Sequence, residues 1–292
     1  MAERVALATS AALATLPDDD RLLIEPLARR GIAAEPVVWD DPAARWTEYD
    51  AVVIRSCWDY HERHDEFLAW VGELEAAGVP LFNPPAVVRW NADKAYLRVL
   101  EAAGTAIVPT LWTEPGEPAT LAALLEEAGW DEAVVKPVVS AGARNTWRTS
   151  RAQAPGEEGR FRELAQRERL MIQPFLPEIT AEGEWSLVFF GGRFSHAVVK
   201  RPRPGDFRVQ EEYGGHATAA EPDPSLVAAA ETAIRHAPEP CLYARVDGCV
   251  VDGRFLLMEL EVLEPALFLA QAPGAAERFA EAMTEALATA GG

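Results

Sequence analysis

Apolar runs and amphipathic stretches alternate along the first third of the chain. Val5–Thr9, Glu35–Trp39 and Ala51–Ile54 read as strands, and the unbroken Ala-Val-Val-Ile run of the last suits a parallel sheet covered on both faces. Asp20–Arg30, closed by Gly31, and Phe67–Ala77, closed by Gly78, have helical spacing with a glycine stop. Strand Val79–Phe82 and the turn Asn83-Pro84-Pro85 complete an open α/β unit over residues 1–88. Sheets of this kind bind ligands beyond the carboxyl ends of their strands, where Arg55-Ser56-Cys57-Trp58-Asp59 falls.

A second unit is expected over residues 89–175. Asn91 reads as the cap of a helix running to Ala103 and stopped by Gly104, with Lys94 one turn in. Strand Ile107–Pro109, helix Leu121–Ala128 and strand Ala133–Lys136 precede a small, polar segment, Val139–Thr146. Helix Arg160–Arg169 and strand Leu170–Gln173 follow. In the remainder, 176–292, strands Trp185–Phe190 and Arg193–Lys200 lead to a charged loop over Arg201–Gly215 and a helix over Leu226–Ala237. A hairpin then pairs Leu242–Val251 with Arg254–Leu263, and no internal repeat is evident.

Composition narrows the function classes. The 292 residues are 49% hydrophobic and 25% charged, as in a globular enzyme, and 27 basic against 46 acidic residues leave a net charge of −19. Nonspecific nucleic-acid binding and docking on anionic membranes are therefore disfavoured. Cys57, Cys241 and Cys249 form no CxxC pair, which suits a reducing cytoplasm. The opening Met1–Leu7 is too short and acidic for a signal peptide, and no apolar run approaches the ~20 residues of a membrane span. Dinucleotide, P-loop, zinc-protease and serine-hydrolase motifs are absent. His61-x-x-His64 lacks a third ligand and reads as a surface pair at a helix start, and the scattered tryptophans read as core.

The hairpin carries the strongest chemistry. Glu259 and Glu261 are two apart on a strand and so share a face, while Met258, Leu260 and Val262 point the other way. Neighbouring carboxylates repel unless a cation bridges them or one is protonated, and hard oxygen donors suit Mg2+. The competing reading is a solvated face of paired glutamates. Register separates the two: a two-residue turn at Asp252-Gly253 would set Asp247 opposite Met258, away from Glu259. A bulged turn around Val251–Gly253 is therefore predicted, bringing Arg245, Asp247, Glu259 and Glu261 onto one face.

Lys136, in the apolar run Ala-Val-Val-Lys-Pro-Val-Val, calls for an anion to meet, or else snorkels to solvent. The following Ser140-Ala-Gly-Ala loop could bring backbone N–H groups to phosphate oxygens.

The order Asn91-x-x-Lys94, Lys136-Pro137, Gln173-Pro-Phe-Leu-Pro-Glu178, Gly183-Glu184, Lys200, Arg245-x-Asp247 and Glu259-x-Glu261 resembles the ATP-grasp ligases, in particular their glutathione-synthetase-like branch. The resemblance implies an α/β fold with an N-terminal Rossmann-like domain, a small lid subdomain and a C-terminal ATP-grasp core. It implies that Lys94, Lys136 and Ser140 meet ATP phosphates and that Gln173, Pro174, Phe175 and Leu176 form a hinge reading adenine. Glu184 would hold the ribose, and Lys200 the γ-phosphate. Asp247, Glu259 and Glu261 would hold two Mg2+ ions, for which Mn2+ could substitute, and Arg245 would stabilise the transition state. The reaction implied is phosphorylation of a carboxylate and capture of the acylphosphate by nitrogen, releasing ADP and phosphate.

For the substrate, an amino-acid derivative, Arg55 is a candidate carboxylate ligand, equally readable as a strand-end salt bridge. Asp59 or Glu264 would hold an ammonium, and Arg208 and Gly215 belong to a segment similar to that branch's substrate loop. The chain departs from the branch at Glu261 and Glu264, where the pattern has asparagine followed by small hydroxyl residues. The stretch Glu259–Phe268 is closer to small ligases of natural-product pathways, among them the cyclo-ligase that closes O-ureido-D-serine to cycloserine. Alternatives are a dipeptide or protein-tail ligase and a non-catalytic nucleotide-binding protein. A cytoplasmic enzyme without nucleic-acid or membrane partners is expected, with a homodimer as the candidate assembly.

Overall fold

The computed structural model describes residues 3–117 and 119–290; Met1 and Ala2, at the head of the stretch considered above, lie outside them. Strands β1 (Glu3–Thr9), β2 (Ile32–Val38), β3 (Ala51–Ser56) and β4 (Leu81–Phe82) form a parallel sheet in the order β2-β1-β3-β4. Its central strands are wholly buried from Val5 to Ala8 and from Ala51 to Ile54, as their unbroken apolar runs require. Two short helices, α1 (Asp18–Arg21) and α2 (Ile24–Arg29), replace the single helix expected there. Pro26 has no N–H for a carbonyl one turn back and is accommodated only in the first turn of a new helix. Helix α3 (His64–Ala76) covers the other side, burying Phe67, Trp70, Val71 and Leu74.

Helices α4 (Pro85–Asn91) and α5 (Tyr96–Ala102) lead into the second unit. Asn91 ends α4 and does not cap a helix. Its side-chain oxygen accepts from the Val262 N–H at 3.0 Å and its amide donates to the Leu260 carbonyl at 2.7 Å. Lys94 consequently lies in the turn between the two helices, and its backbone N–H donates to the Val138 carbonyl. The strand expected at Ile107–Pro109 makes a single bridge to Leu257; the strand proper, β5 (Leu111–Thr113), starts later. Helices α6 (Leu121–Ala128) and α7 (Ala154–Ala165) pack on an antiparallel sheet of order β5-β8-β6-β7, with β6 (Glu132–Pro137), β7 (Trp147–Ser150) and β8 (Leu170–Pro174).

The third sheet is antiparallel with order β11-β10-β9-β12-β13. Its strands are β9 (Glu184–Phe190), β10 (Arg193–Arg201), β11 (His216–Ala220), β12 (Tyr243–Val251) and β13 (Arg254–Glu261). The short α8 (Glu178–Ala181) precedes it, α9 (Pro224–Ile234) covers one face, and α10 (Ala275–Ala290) closes the chain's described part. The sequence reading has no counterpart to α10. Its Phe279, Met283 and Leu287, spaced by four, join Val5, Leu7, Val188, Phe190 and Tyr243 in one core that fuses the first sheet to the third.

The β12–β13 register corrects one expectation. The turn is a tight two-residue one: Val251 pairs with Arg254, and Asp252 and Gly253 take φ of 51° and 75°. The bulge lies further along, where Gly248 pairs with Leu257 but Asp247 pairs with Glu259, leaving Met258 as the extra residue. No helix among the described residues is long and apolar enough to cross a membrane.

Candidate active site

The three sheets surround a cleft of about 1040 Å³. Its floor is one face of the third sheet, where strand alternation and the Met258 bulge align Glu184 and Ser186 of β9, Lys200 of β10, Arg245 and Asp247 of β12, and Glu259 and Glu261 of β13. Asp247 accepts from Ser186 Oγ at 2.6 Å, from Lys200 Nζ at 3.1 Å and from Arg245 Nη2 at 2.9 Å. Burial opposes its charge, but Arg245 and Lys200 more than offset this and hold it well below the usual carboxylate range. Arg245 also pairs with Glu261 and donates to the Ala266 carbonyl at 3.0 Å. Lys200 bridges Asp247 to Glu184, whose pKa burial raises despite that partner.

Lys94 reaches the same face from the α4–α5 turn. Its Nζ donates to the Ser140 carbonyl at 2.6 Å and pairs with Glu259 Oε1 at 2.8 Å. Burial pushes Glu259 up, yet Lys94 and Lys136 bring it below the ordinary value. Lys136 faces into the cleft from the end of β6 without an ion pair among the described residues, and desolvation lowers its pKa. Glu261 is pushed up to about 8 by burial and by the repulsion of Asp247 and Glu259, which Arg245 only partly offsets.

Carboxylate oxygens gathered on one buried face are suited to a hard divalent ion. The donor set Asp247, Glu259 and Glu261 therefore fits Mg2+ in kind. Among the described residues no three such side chains already surround a common point, because each is drawn to Lys94, Lys200 or Arg245. An ion entering there competes with those cations for the carboxylates.

Gln173, Pro174, Phe175 and Leu176 line the side of the cleft where β8 runs toward the third sheet. The Gln173 amide donates to Thr110 Oγ1 at 3.0 Å, and the Phe175 N–H donates to the Glu132 carbonyl at 3.0 Å. The Phe175 ring lies 3.6 Å from the Arg148 guanidinium. Opposite, Ser140–Arg144 and Phe207–Tyr213 meet across the cleft mouth, where Tyr213 donates to the Gly142 carbonyl at 3.3 Å. Arg208 belongs to this wall, clamped by Asp206 and stacked on Tyr213.

The structure separates the candidate substrate ligands. Arg55 is completely buried beneath the cleft, where it donates to Asp20 at 3.0 Å and to the Pro265 carbonyl at 2.7 Å and stacks on Tyr243. The pair is buried and Arg55 does not line the cleft. Asp59 accepts from Trp39 Nε1 at 3.1 Å and does not line the cleft. Gly215 also stays outside; a Cβ there would fall 2.1 Å from the Val209 carbonyl oxygen, so the glycine serves loop packing. Glu264 does line the cleft, has no ion pair among the described residues, and is pushed up to about 7 by burial despite the attraction of Lys94.

Sequence reasoning passed over several wall residues. Asp19 accepts from the Leu269 and Ala270 N–H groups at 3.0 and 2.8 Å and fastens the loop that carries Phe268. Phe268, at φ 51°, lays its ring 5.6 Å from the Arg245 guanidinium. Trp58 Nε1 donates to the Glu264 carbonyl at 3.1 Å, and His61, read as a surface residue, faces the same end of the cleft. Nothing in local spacing brings residues 19, 61 and 268 together; tertiary packing does.

Comparison with known proteins agrees with this architecture. Residues 5–83 match the family model described as the D-cycloserine synthetase DcsG N-terminal domain. The chain is 34% identical to the cycloserine biosynthesis protein DcsG of Streptomyces lavendulae, over 97% of this chain and 98% of that protein. It is 32% identical to a glutathione synthetase of Parasynechococcus marenigrum over 65% of this chain and 59% of that one. The crystal structure of D-cycloserine synthetase DcsG superposes with a TM-score of 0.88 at 32% identity, covering 97% of this chain and 99% of that chain.

Proposed function

The chain belongs to the DcsG family of ATP-grasp ligases, which form carbon–nitrogen bonds at an activated carboxylate, and from that premise we propose that it closes an O-ureido-serine-type precursor to a cycloserine-type ring at the expense of ATP. The observation that carries the reading is the face shared by Lys94, Lys200, Arg245, Asp247, Glu259 and Glu261, with Lys136 opposite. Bringing a triphosphate to a carboxylate means concentrating negative charge, so cations and metal-holding carboxylates are the needed equipment.

In this reading the adenine meets the Phe175 carbonyl and the Leu176 N–H, since the Phe175 N–H is already bonded to Glu132. Glu184 accepts from the ribose hydroxyls. Lys94 and Lys136 hold the outer phosphates, Ser140 and its loop close over them, and Lys200 follows the γ-phosphoryl group. Asp247, Glu259 and Glu261 would hold Mg2+, or Mn2+ in its stead, which supplies charge neutralisation. Arg245, braced by Asp247 and the Ala266 carbonyl, faces the oxyanion formed as nitrogen attacks the acylphosphate. Glu264 holds the amino group, and Arg208 with Tyr213 keeps water from the acylphosphate. Arg55, Asp59 and Gly215 have no part in substrate contact.

The test is ADP release with Mg-ATP against O-ureido-D-serine and a panel of other O- and N-substituted amino acids. Product formation with the ureido compound, abolished by Glu259→Gln, is expected. Turnover only with a two-component amino-acid pair would replace cyclisation by ligation, and ATP binding without any turnover would remove the enzymatic reading.

A further inference from the structure

Capture of an acylphosphate by an N–H nucleophile releases a proton, and the cleft must supply its acceptor. Most of the carboxylates on the floor are unsuited: Glu184, Asp247, Glu259 and Glu261 are each held by a lysine or arginine. His61 also lines the cleft, with Trp58, Tyr60 and Glu264. Its Nδ1 lies 3.0 Å from the Trp58 carbonyl oxygen. A carbonyl only accepts, so Nδ1 carries the hydrogen, and the neutral ring keeps its lone pair on Nε2. The same Trp58 fixes its own indole to the Glu264 carbonyl at 3.1 Å, so one anchored segment carries both the imidazole and its link to β13.

We propose that His61, through Nε2, is the general base that takes the proton from the attacking nitrogen, a role that deepens and rests on the ligase reading. The nitrogen lone pair forms the C–N bond, the acyl C–O bond to phosphate breaks with its electrons leaving on inorganic phosphate, and the N–H proton passes to Nε2 and then to solvent. The ring nitrogen keeps its carbamoyl group through this step; the later release of that group as carbon dioxide and ammonia consumes one water from solvent.

The surroundings keep the ring neutral and able to accept. Burial lowers its pKa, only partly countered by the Trp58 carbonyl and Glu62; Arg144 of the Ser140–Arg144 wall and Lys94 of the α4–α5 turn add to the lowering. Glu62 and Glu264 are the other acceptors lining this part of the cleft, and Glu264, joined to Trp58, is the competitor to be tested.

The experiment compares wild type, His61→Asn, His61→Gln and Glu264→Gln with Mg-ATP and O-ureido-D-serine over pH 5–9, after confirming equal melting temperatures. Asparagine keeps a donor near the Nδ1 position for the Trp58 carbonyl but has no atom at Nε2. Each protein is also assayed with hydroxylamine, which captures the acylphosphate without a protein base. Expected for both His61 variants is a fall in cyclised product of about a hundredfold or more and loss of the low-pH limb of the kcat profile. Hydroxamate formation should stay within about threefold of wild type. Equal loss of product and hydroxamate would make His61 a binding residue and overturn the proposal. So would an unchanged pH profile, or loss of that limb in Glu264→Gln alone. If wild type itself yields hydroxamate but no cyclised product, the cyclisation reading fails; if it yields neither, the ligase reading fails.

Discussion

Asp247 stands directly opposite Glu259 across β12 and β13, and it does so because Met258 bulges out of the ladder between them. In uninterrupted register from the Asp252-Gly253 turn, Asp247 would face Met258 and the two carboxylates would lie on opposite faces. The bulge needs Gly248 on the partner strand. A Cβ at that position would sit 2.4 Å from the Leu256 carbonyl oxygen and 2.5 Å from the Phe255 ring. Gly248→Ala is expected to lower stability by about 2–3 kcal/mol in urea unfolding, because backbone and ring must both shift. Turnover should fall further than stability explains. A wild-type midpoint and wild-type turnover would mean that the bulge does not set the carboxylate geometry.

Arg55 separates a structural from a substrate role. Arg55 and Asp20 are both nearly inaccessible, and burial raises the Asp20 pKa even though Arg55 beside it pulls the other way. Removing one partner of a buried pair leaves an uncompensated charge, so Arg55→Met and Asp20→Asn should each cost about 3–5 kcal/mol. The double variant Arg55→Met with Asp20→Asn should recover part of that loss, with KM close to wild type wherever the protein folds. A stably folded Arg55→Met with KM raised manyfold would return Arg55 to the substrate.

The strand content of the first unit was legible because parallel central strands must be apolar throughout, and β1 and β3 are. The carboxylate hairpin was legible because charged groups on buried strands seldom occur without a chemical reason, and the ATP-grasp family through the resemblance of the ordered motifs from Asn91 to Glu261. Two kinds of information were missing. Asn91 looks like a helix cap in any local window, and only the distant Leu260–Val262 backbone turns its amide to another use. Arg55 shows the same failure in reverse: a strand-end arginine is chemically suited to substrate, but Asp20, Pro265 and Tyr243 enclose it from three distant segments. The α10 signal, Phe279, Met283 and Leu287 at intervals of four, was present but sits in an alanine-rich stretch of weak contrast.

Lys136 carries a different prediction. Its ammonium is recessed in the cleft, has no ion pair among the described residues, and is destabilised by desolvation. Lys136→Met removes that cost while keeping the length of the stem. The variant should melt at or above the wild-type temperature yet bind ATP at least about tenfold more weakly, as expected for a group held in strain for function. Calorimetric melting and ATP titration decide it together. A lower melting temperature with intact ATP affinity would make Lys136 a packing residue.

His196 sets a pH dependence of stability that does not involve the carboxylates of the cleft floor. Its Nε2 donates to the Leu267 carbonyl at 2.8 Å, while Nδ1 lies 2.9 Å from Ser195 Oγ, itself bonded by Arg278 at 2.8 Å. The ring is buried, and burial lowers its pKa below 6.5, reinforced by Arg278 and opposed by the Leu267 carbonyl and Asp19. The unfolded chain therefore binds the His196 proton at a pH where the folded chain still refuses it, and in that interval stability rises with pH. The contribution is complete above about pH 6.5 and is lost as pH falls through the lower folded value. His196→Gln retains a donor for Leu267 but cannot titrate. The melting-temperature gap between wild type and His196→Gln, measured from pH 7.5 to 5, should narrow toward acid, because every other titrating group is common to both proteins and cancels. A gap that stays constant or widens toward acid would mean that His196 is protonated in the folded protein and that Ser195 has turned to accept from it.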